Sequence, residues 1–153
     1  MKSLYLQTSP EYQMKRLLAA GMPSCYQLGP AFRHGEQGRL HNPEFTMLEW
    51  YRVGWNEHEL MAEIAELVST LRPSIGCLTK SYRDAFMQHL GLDPHDICLS
   101  DLQKYVSSSA GYKWKSESRF DCLNYLFTNG VEPKLPEGLV FLYDYPECHA
   151  AFA

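Results

Sequence analysis

The sequence predicts an α+β fold, an antiparallel hairpin with helices segregated from the strands. Three observations point there. Two strand-like segments flank a run of turn-forming residues. A strongly periodic helix follows them. A content of 45% hydrophobic and 13% aromatic residues in 153 is enough to build one core.

From the start of the chain, Tyr5 to Gln7 reads as a short strand. Ser9 then caps a helix whose first position is Pro10, with Glu11 in the favourable first turn and Gly21 as its stop. Met14, Leu17 and Leu18 give that helix its expected buried side. Ser24 to Arg33 is strand-like, although Gly29 and Pro30 imply an edge or a bulge. The next strand runs from about Phe45 to Val53. Gly35, Gly38, Arg39, Asn42 and Pro43 between them make an antiparallel hairpin with a long tip. Alternation along the second strand puts Met47, Glu49, Tyr51 and Val53 on one face and Leu48, Trp50 and Arg52 on the other. A carboxylate and a phenol therefore share a face.

Asn56 and Glu59 form a capping-box start, and Leu60, Ile64, Leu67 and Leu71 recur at helical spacing, so a helix spans about Glu57 to Leu71 with a solvated acidic face. Ser107 to Gly111 reads as a loop. Shorter helices are expected at Tyr82 to Leu90, Ser100 to Val106 and Ser118 to Phe127, and a strand at Leu139 to Tyr143.

Composition narrows the function classes. The net charge is −4, and the lysines and arginines form no basic stripe, which argues against a nucleic-acid surface in this chain. The five cysteines stand more than twenty positions apart without zinc-site spacing, so they read as reduced, idle thiols of a cytoplasmic protein, and no metal ligands are assigned. No stretch approaches the ~20 apolar residues of a membrane span, and no signal-peptide core follows Met1.

Arg33 stands at a strand end beside a loop holding Arg39, His41 and Asn42. Guanidinium groups grip phosphate oxygens in a planar fork, so the loop is a candidate collar for a phosphate chain. Read from spacing alone, it is a solvated basic loop before it is a nucleotide site. On the same terms Phe45 is core, Tyr51 a strand aromatic and Glu11 a residue suited to a helix start. His58, His89, His95 and His149 read as surface or structural residues.

The run from Phe32 to Tyr51, with His41-Asn42-Pro43-Glu44-Phe45-Thr46-Met47-Leu48-Glu49 at its heart, resembles motif 2 of the lysine branch of class II aminoacyl-tRNA synthetases. Upstream, Thr8-Ser9-Pro10-Glu11-Tyr12 followed by Met14-Lys15-Arg16-Leu17-Leu18 is similar to the segment that forms part of that family's lysine pocket. The Trp50-Tyr51-Arg52 ending and the run from Tyr145 to Ala153 look more like the elongation factor P lysine ligases, paralogues that lack an anticodon-binding domain.

The resemblance implies a class II antiparallel sheet flanked by helices. It makes residues 1–153 the central part of a single catalytic domain, incomplete because motif 2 is present and motifs 1 and 3 are not. It implies that ATP activates (R)-β-lysine or lysine as an adenylate for transfer to a lysine side chain of elongation factor P. Catalytic Arg33 would hold the α-phosphate, and His34, Gly35, Glu36, His41, Asn42 and Phe45 would join it around ATP, Phe45 by stacking on adenine. Ser9, Pro10, Glu11, Glu49 and Tyr51 would frame the substrate, whose two ammonium groups need carboxylates such as Glu11 and Glu49. The family commonly places a carboxylate two residues after the motif 2 arginine. That position is Gly35 here, with Glu36 beside it.

Mg2+ is expected to bridge the phosphates, on ligands outside this chain. A homodimer is expected of the full-length form, and transfer RNA is not expected as a partner. Two other readings stand beside this one: a piece of lysyl-tRNA synthetase, and a non-catalytic domain that binds lysine or nucleotide. In the first two cases the chain alone is expected to be inactive, with the apolar stripe of the Glu57–Leu71 helix partly uncovered.

Overall fold

The computed structural model describes residues 5–111 and 118–152, which divide into two compact units, 1–60 and 61–153. In the first, helix α1 (Glu11–Ala19) precedes strands β1 (Cys25–Phe32) and β2 (Glu44–Tyr51). The strands pair antiparallel from Cys25 opposite Tyr51 to Phe32 opposite Glu44, which is the expected hairpin. Its tip is tied by the Arg33 N–H to the Pro43 carbonyl at 2.8 Å and by a bridge between Gly38 and His41.

Burial alternates along both strands, as the pleat requires. Phe45, Met47, Glu49 and Tyr51 lie on the less exposed face, while Tyr26, Leu28 and Leu48 stand in solvent on the other. Two expectations fail in this unit. Residues 5–7 form no strand: Gln7 meets the hairpin through the Phe32 N–H donating to its carbonyl and its side chain donating to the Pro30 carbonyl, both at 2.9 Å, and one backbone bond is too little for a ladder. Of the apolar residues on α1 only Met14 is buried, Leu17 being exposed and Leu18 intermediate.

Helix α2 (Glu57–Leu71) begins on the predicted capping box. Asn56 Oδ1 accepts from the His58 and Glu59 amides at 2.9 and 3.0 Å, and Glu59 Oε2 accepts from the Asn56 amide at 2.8 Å. No side chain of α2 is buried. Leu67 and Leu71 are exposed, while Leu60 and Ile64 are intermediate.

The second unit holds strand β3 (Cys77–Ser81), helices α3 (Tyr82–Leu90), α4 (Leu99–Ala110) and α5 (Arg119–Leu126), and strand β4 (Leu139–Tyr143). A π-helical turn over Phe127–Val131 and a 3-10 turn over Glu132–Lys134 lead from α5 towards β4, and another 3-10 turn covers Glu147–Phe152. β3 escaped the sequence reading, and it pairs with β4 in parallel rather than antiparallel, from Cys77 opposite Leu139 to Ser81 opposite Tyr143. Gly138 makes this pairing possible. It has φ +130, and a Cβ there would stand 2.6 Å from the Gly76 carbonyl oxygen, which accepts from the Leu139 amide.

The core of this unit is formed by Tyr82, Ala85 and Phe86 of α3, Leu102 and Val106 of α4, Cys122, Leu123 and Leu126 of α5, and Val131. The expected loop over 107–111 is instead helix as far as Ala110. The Ser107 and Ser108 hydroxyls donate back to the Gln103 and Tyr105 carbonyls at 2.7 and 2.8 Å, and Gly111 supplies the left-handed cap.

Candidate functional site

Strand alternation brings Glu49 and Tyr51 to one face of β2, and the segment entering α1 brings Ser9 against them. Tyr51 donates its hydroxyl to Glu49 Oε1 at 2.7 Å, and Ser9 donates its hydroxyl to Glu49 Oε2 at 3.1 Å. Each carboxylate oxygen therefore accepts one bond and keeps capacity for another. Burial, and then the bond to Glu49 and that carboxylate's charge, push the Tyr51 phenol well above its ordinary range, so it remains a donor at neutral pH.

Ser9 also accepts from the Glu11 amide at 3.1 Å, but it is not the cap residue: Pro10 holds the cap position and Glu11 is the first helical residue, one position later than expected. Pro10 is buried. Glu11 turns outward and pairs with Lys15 one helical turn on, at 2.6 Å with both side chains about half exposed. The bond to Glu11 and its charge raise the Lys15 ammonium, and the charge of Glu49 adds to the effect. Lys15 thus sits in the field of both candidate substrate carboxylates. The Glu11 to Lys15 spacing was a signal for this pair that the sequence reading did not use.

Arg33 leaves the end of β1 and donates through Nε to the Thr8 carbonyl at 3.2 Å, which ties the hairpin to the segment before Ser9. Its guanidinium lies 5.3 Å from the centre of the Phe45 ring and 3.7 Å from the Glu36 carboxylate. Gly35 has φ +82, a turn that a side chain would strain and that returns the chain so that the carboxylate beside Arg33 is that of Glu36. His34, Gly35, His41 and Asn42 are exposed around the hairpin tip, as is Arg39. The structure therefore gathers the predicted residues into two groups: Ser9, Glu49 and Tyr51 joined by hydrogen bonds, and Arg33 with Glu36 and Phe45 each beside it.

A hydroxyl, a phenol and a carboxylate beside an arginine stacked on an aromatic ring can hold an ammonium group and an anion on neighbouring parts of one hairpin. The family profile for class II tRNA synthetases of the D, K and N type matches residues 1–153. The chain belongs to the class II aminoacyl-tRNA synthetase family. This class II chain is 44% identical over 155 residues to an elongation factor P–(R)-β-lysine ligase from Vibrio cholerae, covering 99% of the chain and 48% of the relative. It is 42% identical over 154 residues to a Yersinia pestis protein of the same name, covering 99% of the chain and 47% of the relative. The class II chain thus spans about half the length of these curated relatives. A solved structure of aspartyl-tRNA synthetase from Entamoeba histolytica aligns over 73% of the chain and 31% of its own, at 17% identity and a TM-score of 0.46.

Proposed function

We propose that this chain carries the substrate-recognising part of an ATP-dependent cytoplasmic ligase that activates (R)-β-lysine or lysine as an aminoacyl-adenylate and transfers it to a lysine side chain of elongation factor P. The observation that carries this reading is the doubly hydrogen-bonded Glu49. Ser9 and Tyr51 fix its orientation while leaving it able to accept from an ammonium. The names of the two relatives support the choice of amino acid and target.

In this account Glu49 and Glu11 receive the substrate's ammonium groups, with Lys15 yielding Glu11 as the substrate enters, while Pro10 shapes the wall. Arg33 neutralises the α-phosphate, Phe45 supplies the stacking surface for adenine, and Glu36, held near Arg33, takes the place of the family's usual carboxylate. His34, Gly35, His41 and Asn42 line the nucleotide side of the tip. The substrate carboxylate attacks the α-phosphorus and pyrophosphate leaves. A lysine amine of elongation factor P then attacks the mixed anhydride, and AMP leaves. Fixed charge and positioning carry both steps.

Mg2+ is proposed to act with the ATP phosphates, on ligands outside this chain. Residues 1–153 by themselves are proposed to be the central part of one catalytic domain and to lack detectable adenylation. The full-length form is proposed to be a homodimer that does not charge transfer RNA.

The experiment is mass spectrometry of elongation factor P incubated with a full-length form, ATP and (R)-β-lysine. The reading requires the mass of one added residue on a lysine. Efficient charging of lysine transfer RNA by the same preparation would favour a lysyl-tRNA synthetase instead.

A further inference from the structure

The second unit holds a constellation that the ligase reading leaves unused. Cys148 lies half-buried with its Sγ 3.4 Å from the Nδ1 of His149. The imidazole is set among rings, 4.8 Å from Phe120, 5.6 Å from Tyr82 and 5.8 Å from Tyr145 between centres. Burial lowers the pKa of His149, so at neutral pH the ring is uncharged and able to accept a proton through Nδ1.

A cavity of about 580 Å³ opens beside the thiol, lined by His95, Arg119, Pro146, Glu147 and Cys148 itself. The Arg119 guanidinium is locked in place by donating to the carbonyls of Ile97, Pro94 and His95 at 2.5, 2.6 and 3.1 Å, so a fixed positive charge stands in the cavity wall that Glu147 also lines. Tyr82, only 1% exposed, has a hydroxyl with no hydrogen-bond partner among the described residues. A buried orphan hydroxyl is costly unless something else satisfies it.

We propose that Cys148 is a reactive thiol, with His149 as its base, that accepts a zwitterionic low-molecular-weight disulfide in this cavity and forms a mixed disulfide. The proton of Cys148 passes to His149 Nδ1, and the thiolate attacks one sulfur of the disulfide. The new bond joins Cys148 to that half, and the other half departs as a thiolate that takes the proton from His149. Cys148 is oxidised, the departing half is reduced, and no other reactant is needed. Arg119 and Glu147 match the carboxylate and ammonium groups of such a disulfide.

The chain's other cysteines make the test internal. Cys77 and Cys98 are exposed, Cys25 is half-buried like Cys148, and Cys122 is buried. The purified chain is treated with oxidised glutathione, quenched at intervals and mapped by mass spectrometry. Cys148 should be modified at least tenfold faster than the more exposed Cys77, and dithiothreitol should remove the adduct. His149→Gln should slow Cys148 about tenfold and leave Cys77 unchanged. Cys122 remaining unmodified would report that the variant's core is intact. If that variant exposes Cys122, Arg119→Lys, which keeps the charge, and the wild-type ratio of Cys148 to Cys77 decide the matter. Equal rates at Cys148 and Cys77 in the wild-type chain, or an unchanged Cys148 rate in a folded His149→Gln, would overturn the proposal.

Discussion

Among residues 5–60 the buried side chains are Pro10, Met14 and Ala31, whereas in residues 61–152 three helices and a helical turn close over Tyr82, Phe86, Leu102, Val106, Leu123, Leu126 and Val131. The first region leaves Tyr26 75% and Leu28 65% exposed on one face of its hairpin and spends the other face on polar contacts: Ser9, Tyr51, Arg33 and their partners. A two-stranded hairpin is marginal when isolated, so this region is held largely by hydrogen bonds that also present functional groups. The second is held by burial. The proposed recognition and the chain's stability therefore rest on different residues, and substitutions should break one without the other.

The largest effect is expected in the buried region. Phe86→Ala removes a fully buried ring stacked 4.5 Å from Tyr82, and should cost about 3–5 kcal/mol of unfolding free energy in urea titrations. Hydrogen exchange should then accelerate over α3 to α5 and little over β1 and β2. Uniform acceleration would mean that the two regions unfold as one.

The counterpart lies on the hairpin. Arg33→Ala in a full-length form should lower the rate of adenylation by on the order of 10² to 10³. Pre-steady-state pyrophosphate release measures this. A loss below threefold would place Arg33 away from the phosphate, as a strut between Thr8 and Phe45. Glu11→Gln should weaken lysine or β-lysine binding far more than ATP binding in separate calorimetric titrations, and equal losses would indicate a folding defect.

How much of this could be read in advance differs between the same two regions. The hairpin, the shared face of Glu49 and Tyr51 and the Asn56 to Glu59 box were legible because each rests on local spacing, which period-two alternation or a reciprocal cap records directly. The Ser9 bond to Glu49 and the Arg33 bond to Thr8 join residues far apart in sequence, so only the resemblance to a family suggested that these segments meet. In the second region β3 was missed because Cys77 to Ser81 is too short and mixed to announce a strand, and its pairing depends on Gly76 and Gly138 about sixty residues apart. The serines at 107 and 108 were read as loop because their propensity favours it, yet their hydroxyls bond back to the helix and the buried Val106 holds the turn in place.

The smallest effects carry the comparison to single groups. Asn56→Ala removes both cap acceptances and should cost about 1 kcal/mol, read as faster amide exchange in the first turn of α2. Tyr82→Phe should be neutral or slightly stabilising, because it deletes an unpaired buried hydroxyl while keeping the ring contacts. Burial first, and then the charges of Tyr145 and Cys148, raise the Tyr82 phenol above its ordinary value, so the folded chain holds a proton that the unfolded chain releases near pH ~10. The stability tied to that proton is present below pH ~10 and is lost as pH rises. Denaturation midpoints followed from pH 8 upward should therefore fall less steeply in Tyr82→Phe than in the wild type.

The claim on which the account turns is that the carboxylate fixed by Ser9 and Tyr51 recognises the amino end of the substrate. Its most direct test is ATP–pyrophosphate exchange by a full-length form, comparing wild type with Glu49→Gln while (R)-β-lysine and ATP are varied in turn. KM for β-lysine should rise by about 30-fold, the loss of about 2 kcal/mol from a hydrogen bond to a charged group, with KM for ATP unchanged. An unchanged KM for β-lysine, or equal rises for both substrates, would contradict the claim.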